Sequence, residues 1–149
     1  MPILNYTTDI AVSKTMGEIQ GALARRGIRS ISTLYDEDGT PAGLAFTMHT
    51  DYGFRDFELP VRTAGVLAAM QRDPKVPKAK QNPAQAARVA WRIAKDWLEA
   101  QSALIDAGLA SLDEVMFPYM VTAYDAGRAV TMFDTFREKQ LAIESGDPS

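Results

Sequence analysis

Arg88, Trp91, Arg92 and Lys95 follow one another at spacings of three and four, so on a helix they share one side. An indole face flanked by three cations can stack a base and pair a phosphate. A second reading of the same residues is structural. In it Trp91 packs on a neighbour, Arg92 pairs with Asp96 and Lys95 pairs with Glu99 at i,i+4. Just upstream, residues 73–83 (DPKVPKAKQNP) form a basic loop with three prolines. Its Lys78 and Lys80, with Lys75 and Arg72 nearby, can add an anion clamp or lid to the cluster.

Equipment for catalysis is sparse. The chain has one histidine, His49, and no cysteine. Neither a histidine–carboxylate metal pair nor a Ser-His-Asp arrangement can be drawn. His49 beside Asp51 at a hairpin end is read as a turn residue. The run Asp36-Glu37-Asp38-Gly39 has the acidic start of a calcium loop but lacks the later ligands, so it is read as a polar turn. Glycines fall singly at turns and helix ends and build no phosphate loop. Asp106, Asp113 and Glu114 are explained as caps and solvated ends. The expectation is a protein that binds and does not catalyse, with no catalytic residue, no metal and no cofactor.

The element that must position the cluster runs from Asn82 to Gly108. Asn82 caps the first turn, Pro83 suits the first helical position, and Gly108 supplies a left-handed end. On this helix Ala86, Ala90, Ile93, Ala94, Trp97, Gln101 and Leu104 read as the core face. Trp91, Leu98 and Ile105, spaced by seven, form an apolar shoulder. That shoulder exceeds what one neighbour needs, which predicts a homo-oligomer through the long helix or an exposed apolar patch for a partner protein.

Upstream, 3–12 (ILNYTTDIAV), rich in β-branched and aromatic residues, reads as an opening strand or a strand with a kink near Asp9. Thr15 and Glu18 make a capping box for a short amphipathic helix with Met16, Ile19 and Leu23 on one face, ended by Gly27. Strand candidates at 28–35, 42–49 and 54–59 form an antiparallel meander. Leu44, Phe46 and Met48 alternate with Ala45, Thr47 and His49, so one face of the middle strand meets the core. A helix is predicted over 61–72 with Val66, Leu67 and Met70 apolar. After the long helix, Ser111 and Glu114 form a second capping box. Beyond it a hairpin over 119–131 followed by a helix is favoured. The alternative is one helix over 126–140 with Phe133 and Phe136 inward. The whole reads as an α+β fold: an antiparallel sheet of three to four strands packed against helices, with one long central helix. Helix, meander and helix in that order also occur in double-stranded RNA-binding domains, whose basic motifs are not evident here.

Composition bounds the rest. The 149 residues, 46% apolar and 23% charged, predict one globular domain over 1–149 with a frayed tail at 144–149. Without cysteine there are no disulfides and no thiolate-held metals, which fits a cytoplasmic protein. No apolar run approaches the roughly 20 residues of a membrane span, so no membrane partner is expected. A net charge of −3 provides no global attraction to nucleic acid, so such binding needs a local basic patch.

Several stretches carry a resemblance. Asn5-Tyr6-Thr7-Thr8, Lys14-Thr15 with Glu18-Ile19-Gln20, Leu59-Pro60, 87–92 (ARVAWR), 95–101 (KDWLEAQ), Asp113-Glu114-Val115 and Pro118-Tyr119 together resemble a family of small hypothetical proteins encoded in phage and prophage genomes. The resemblance covers about residues 3–140. It implies an accessory protein of a bacterial virus, acting in the host bacterial cytoplasm. Proteins of that setting work by binding: as antagonists of host defence, as sequesterers of immune nucleotides, or as accessory binders of single-stranded nucleic acid. The expected partner is a small nucleotide-like ligand or a host defence protein, met by Arg88, Trp91, Arg92, Lys95, Lys78 and Lys80.

Overall fold

The computed structural model describes residues 4–146. Its elements run α1 (Val12–Arg25), β1 (Arg29–Tyr35), β2 (Pro41–Thr50), β3 (Gly53–Pro60), α2 (Thr63–Arg72), α3 (Pro83–Asp106), α4 (Leu112–Met116), β4 (Val121–Asp125), β5 (Arg128–Thr131) and α5 (Met132–Glu144), with short 3-10 turns at Lys78–Lys80 and Phe117–Tyr119. β1, β2 and β3 form an antiparallel meander, and β4 pairs with β5 in a separate hairpin. The fold is α+β. No helix among the described residues is long and apolar enough to cross a membrane.

The meander follows from its alternation. Leu44, Phe46 and Met48 of β2 and Phe57 and Leu59 of β3 all point inward and are buried, with Leu44 directly opposite Leu59 and Phe46 opposite Phe57. The Phe46 and Phe57 rings stack at 5.5 Å between centroids. Ile19 and Leu23 of α1 and Trp91 and Leu98 of α3 close over this surface. A second, smaller cluster of Met70, Val76, Ala86 and Val89 lies between α2, the loop after it and the first turns of α3.

α3 forms where its caps dictate. The Asn82 side chain accepts the Gln85 N–H at 2.9 Å, Pro83 follows, and Gly108 turns the chain away at a φ of 76°. Its core face, however, is only in part the predicted one: Ala86 and Ala90 are buried, while Ile93 and Ala94 are partly so. Trp91, expected on the shoulder, is 0% exposed and central to the core, whereas Trp97 is half-buried and Leu104 is 40% exposed. The reason is tertiary. α1 packs along one flank of α3, α2 along the other, and the sheet lies beneath, so the wide apolar sector is taken up within the chain.

Other expectations change at the N-terminus. Residues 4–11 form a turn and an extended approach to α1 and pair with no strand, while Ile3 lies outside the described residues. α1 starts at Val12 from an Ala11 cap without a side-chain bond, so the Thr15–Glu18 capping box does not form. The second box does form: Ser111 and Glu114 bond each other's backbone N–H groups at 3.3 and 3.2 Å. The C-terminal hairpin turns on Ala126 and Gly127, both left-handed (φ 52° and 81°), and α5 follows under its own Thr131–Asp134 box. Phe133 and Phe136 point outward, 49% and 61% exposed, because α5 packs mainly on the hairpin and the turn before it. Of the expected tail, 147–149 lie outside the described residues.

Candidate functional site

The four-residue cluster separates in three dimensions. Trp91 is enclosed, and its indole N–H donates to the Pro41 carbonyl at 3.0 Å, so its ring face is not available to a ligand. Leu98 is buried with it, which removes the expected Trp91–Leu98–Ile105 surface patch. Arg88 turns toward the start of α3 and donates twice to the Gln85 side-chain oxygen, at 2.9 and 2.7 Å. Arg92 and Lys95 turn toward α1. Arg92 donates to Thr15 Oγ1 at 3.2 Å and to Glu18 Oε2 at 3.0 Å. Lys95 bridges Glu18 at 3.4 Å and also bonds Glu99, the i,i+4 partner read from the sequence. The expected Arg92–Asp96 pair is absent: Asp96 accepts instead from the Asn5 amide at 2.8 Å.

Lys78 and Lys80 sit on the 3-10 turn before α3 and do not border the Arg92–Lys95 side. The loop that carries them is anchored at Val76. Val76 is buried against α2 and α3, and the Gln81 amide donates to the Val76 carbonyl at 2.9 Å.

Arg92 and Lys95 belong to a groove of 1020 Å³ between α1 and α3. Its opposite wall was not anticipated. Lys14, Gly17, Glu18, Gly21 and Arg25 fall at i, i+3, i+4, i+7 and i+11, one face of α1, and all of them border the groove. That spacing, two glycines between two cations inside a helix, is the signal that locates this wall. Above Gly17 a Cβ would meet nothing within 4 Å, and above Gly21 only the Arg25 guanidinium at 3.4 Å. Ile10, Ile19 and Leu98 add an apolar lining, and Arg26, paired with Asp106 at 3.0 Å, closes one end.

Charge in the groove is unevenly committed. Burial alone would raise the Glu18 carboxyl, but the bonds and charges of Arg92 and Lys95 outweigh it and hold the group below the usual carboxylate range. The Glu99 bond, more than any other neighbour, raises Lys95. Lys14 and Arg25 have no ion-pair partner among the described residues. Such a groove can attract an anion and lay an apolar ring against aliphatic walls.

Elsewhere, His49 is exposed at the end of β2, edge-on to Phe54 at 5.0 Å. Residues 36–39 form the expected turn, in which Asp38 accepts the Thr40 N–H at 2.9 Å. No group of three or more potential metal ligands comes together among the described residues. Comparison with protein-family models, with curated proteins and with solved structures finds no match to this chain.

Proposed function

We propose that the protein acts by binding, and that the α1–α3 groove captures a small nucleotide-like anion. One observation carries this reading. Five cations, Lys14, Arg25, Arg26, Arg92 and Lys95, border the groove against three carboxylates, Glu18, Glu99 and Asp106. The surplus is two positive charges in a chain whose net charge is −3. Lys14 and Arg25 are the groups available to phosphate oxygens, while Arg92 and Lys95, bridged by Glu18, hold the walls together. Gly17 and Gly21 leave room for the ligand above the α1 backbone, and Ile10, Ala22 and Ala103 offer the accessible apolar surface for its base. Trp91 takes no part.

The resemblance to phage-encoded proteins supplies the setting: an accessory protein in the host cytoplasm that antagonises defence by sequestering a nucleotide signal. Calorimetric titration against a panel of cyclic and linear nucleotides tests the reading. Micromolar binding that is lost in Arg25→Glu and in the groove-filling Gly17→Leu is expected. Absence of heat with every nucleotide, or unchanged affinity in both variants, overturns it.

A second reading is favoured by α5, whose Phe133, Phe136, Leu141 and Ile143 are all exposed: inhibition of a host protein by direct docking. A pull-down from bacterial lysate that depends on Phe136 supports it. Recovery that is unaffected by Phe136→Ser removes it.

A further inference from the structure

A second cleft, of 520 Å³, shares no lining residue with the α1–α3 groove and opens where the ends of β1 and β3 face the β4–β5 hairpin. Four charged side chains border it with no assigned task. Asp36 follows β1, Glu58 lies on β3 opposite Ala45, Arg62 precedes α2, and Arg128 opens β5 after the left-handed Ala126–Gly127 turn. A third carboxylate, Asp134, also caps α5 through the Thr131 N–H at 3.0 Å and keeps its charge. The cleft is thus bordered by two guanidiniums and three carboxylates.

Opposite charges in one cleft can pair across it, although an exposed pair contributes little to stability. Here none does: neither arginine has a carboxylate within ion-pair distance among the described residues. Each of the four is anchored on a different element, and the cleft lies between them. Burial without a compensating partner pushes the Glu58 carboxyl above its usual range. A cation beside it would reverse that.

We propose that this cleft binds a small zwitterion of the amino-acid class, with its carboxylate on the arginine side, Arg62 and Arg128, and its ammonium on Glu58. Leu34, Pro60 and Phe133 border the same space and receive an apolar side chain. The volume lies within the range of about 300–1,000 Å³ typical of small-molecule sites. A polyanion is disfavoured by the three carboxylates and a metal ion by the two guanidiniums, so charge selects a ligand carrying both signs.

The test is titration of the full chain, followed by NMR, with free leucine, free phenylalanine and the dipeptide glycyl-leucine. N-acetyl-leucine, which lacks the ammonium, and leucinamide, which lacks the carboxylate, serve as probes of each end. Saturable shifts with at least one zwitterion are expected. Blocking either end should weaken binding about tenfold or more, the scale of one charge-assisted hydrogen bond. Arg128→Gln and the isosteric Glu58→Gln should do the same, while Arg25→Glu in the α1–α3 groove leaves this binding unchanged. No saturable shift at millimolar zwitterion overturns the proposal. So does equal binding of the blocked forms, or undiminished affinity in Glu58→Gln.

Discussion

Replacing Trp91 by Phe is the sharpest probe of the core. The side chain is 0% exposed, packs with Leu44, Phe57 and Leu59 above the sheet, and spends its only polar atom on the Pro41 carbonyl at 3.0 Å. Losing the five-membered part of the indole withdraws two or so methylene equivalents, roughly 1.5 kcal/mol of burial. The void left behind adds on the order of 0.5–1 kcal/mol, since a core around a sheet and two helices relaxes only in part. The lost hydrogen bond contributes about 1 kcal/mol more. The sum is about 3 kcal/mol, or roughly 6–12 °C in Tm for a domain of this length. Urea unfolding followed by far-UV circular dichroism measures it, with an unchanged m-value showing that the native fold is kept. Trp97→Phe is the internal control. That ring is half-buried, edge-on to Tyr119 at 6.1 Å, and should cost less than about 1 kcal/mol. A loss below about 1 kcal/mol for Trp91→Phe, or equal losses at both positions, refutes the assignment of faces on α3.

Three further outcomes follow from the same packing. Gly17→Ala, inside α1 with open space above it, should stabilise by about 0.5–1 kcal/mol, whereas Gly43→Ala should cost at least about 1–3 kcal/mol, because its Cβ would lie 2.6 Å from the Leu59 carbonyl oxygen; parallel thermal melts separate the two. Glu18 is held below the usual carboxylate range in the folded state, so its contribution is present above the unfolded carboxylate pKa and is lost as pH falls through the folded one. Acid titration of stability should therefore flatten in Glu18→Gln. Glu58 runs the other way: its raised folded pKa makes the native state bind more protons than the unfolded chain, so stability declines as pH rises from the ordinary carboxylate value through the raised one. Glu58→Gln should abolish that decline, and a steeper one would contradict the assigned cause.

What could be read before folding was whatever local chemistry decides. Asn82, Pro83 and Gly108 delimit α3 because caps are made within a few residues of themselves. Leu44, Phe46 and Met48 reveal their strand because a period of two leaves one face to bury. The failures lie where a distant partner competes. Thr15 and Glu18 have the spacing of a cap, yet one guanidinium nitrogen of Arg92 bonds both, and the helix is capped four residues earlier, at Ala11. Trp91 could not be told from a shoulder residue without knowing that helices occupy both flanks of α3. The groove was half legible for the same reason: Arg92 and Lys95 lie on the helix with the strong signal, and their counterparts lie on a helix some seventy residues away.

Gln85 is 4% exposed and fully subscribed: its amide donates to the carbonyls of Tyr6 and Thr8 at 2.9 and 3.0 Å, and its oxygen takes both bonds from Arg88. Those two carbonyls lie 79 and 77 residues away along the chain. One buried side chain in the first turn of α3 thus holds the segment that leads into α1, and Ile10, two residues past Thr8, borders the groove; the mouth of the groove and the start of the long helix are joined through Gln85.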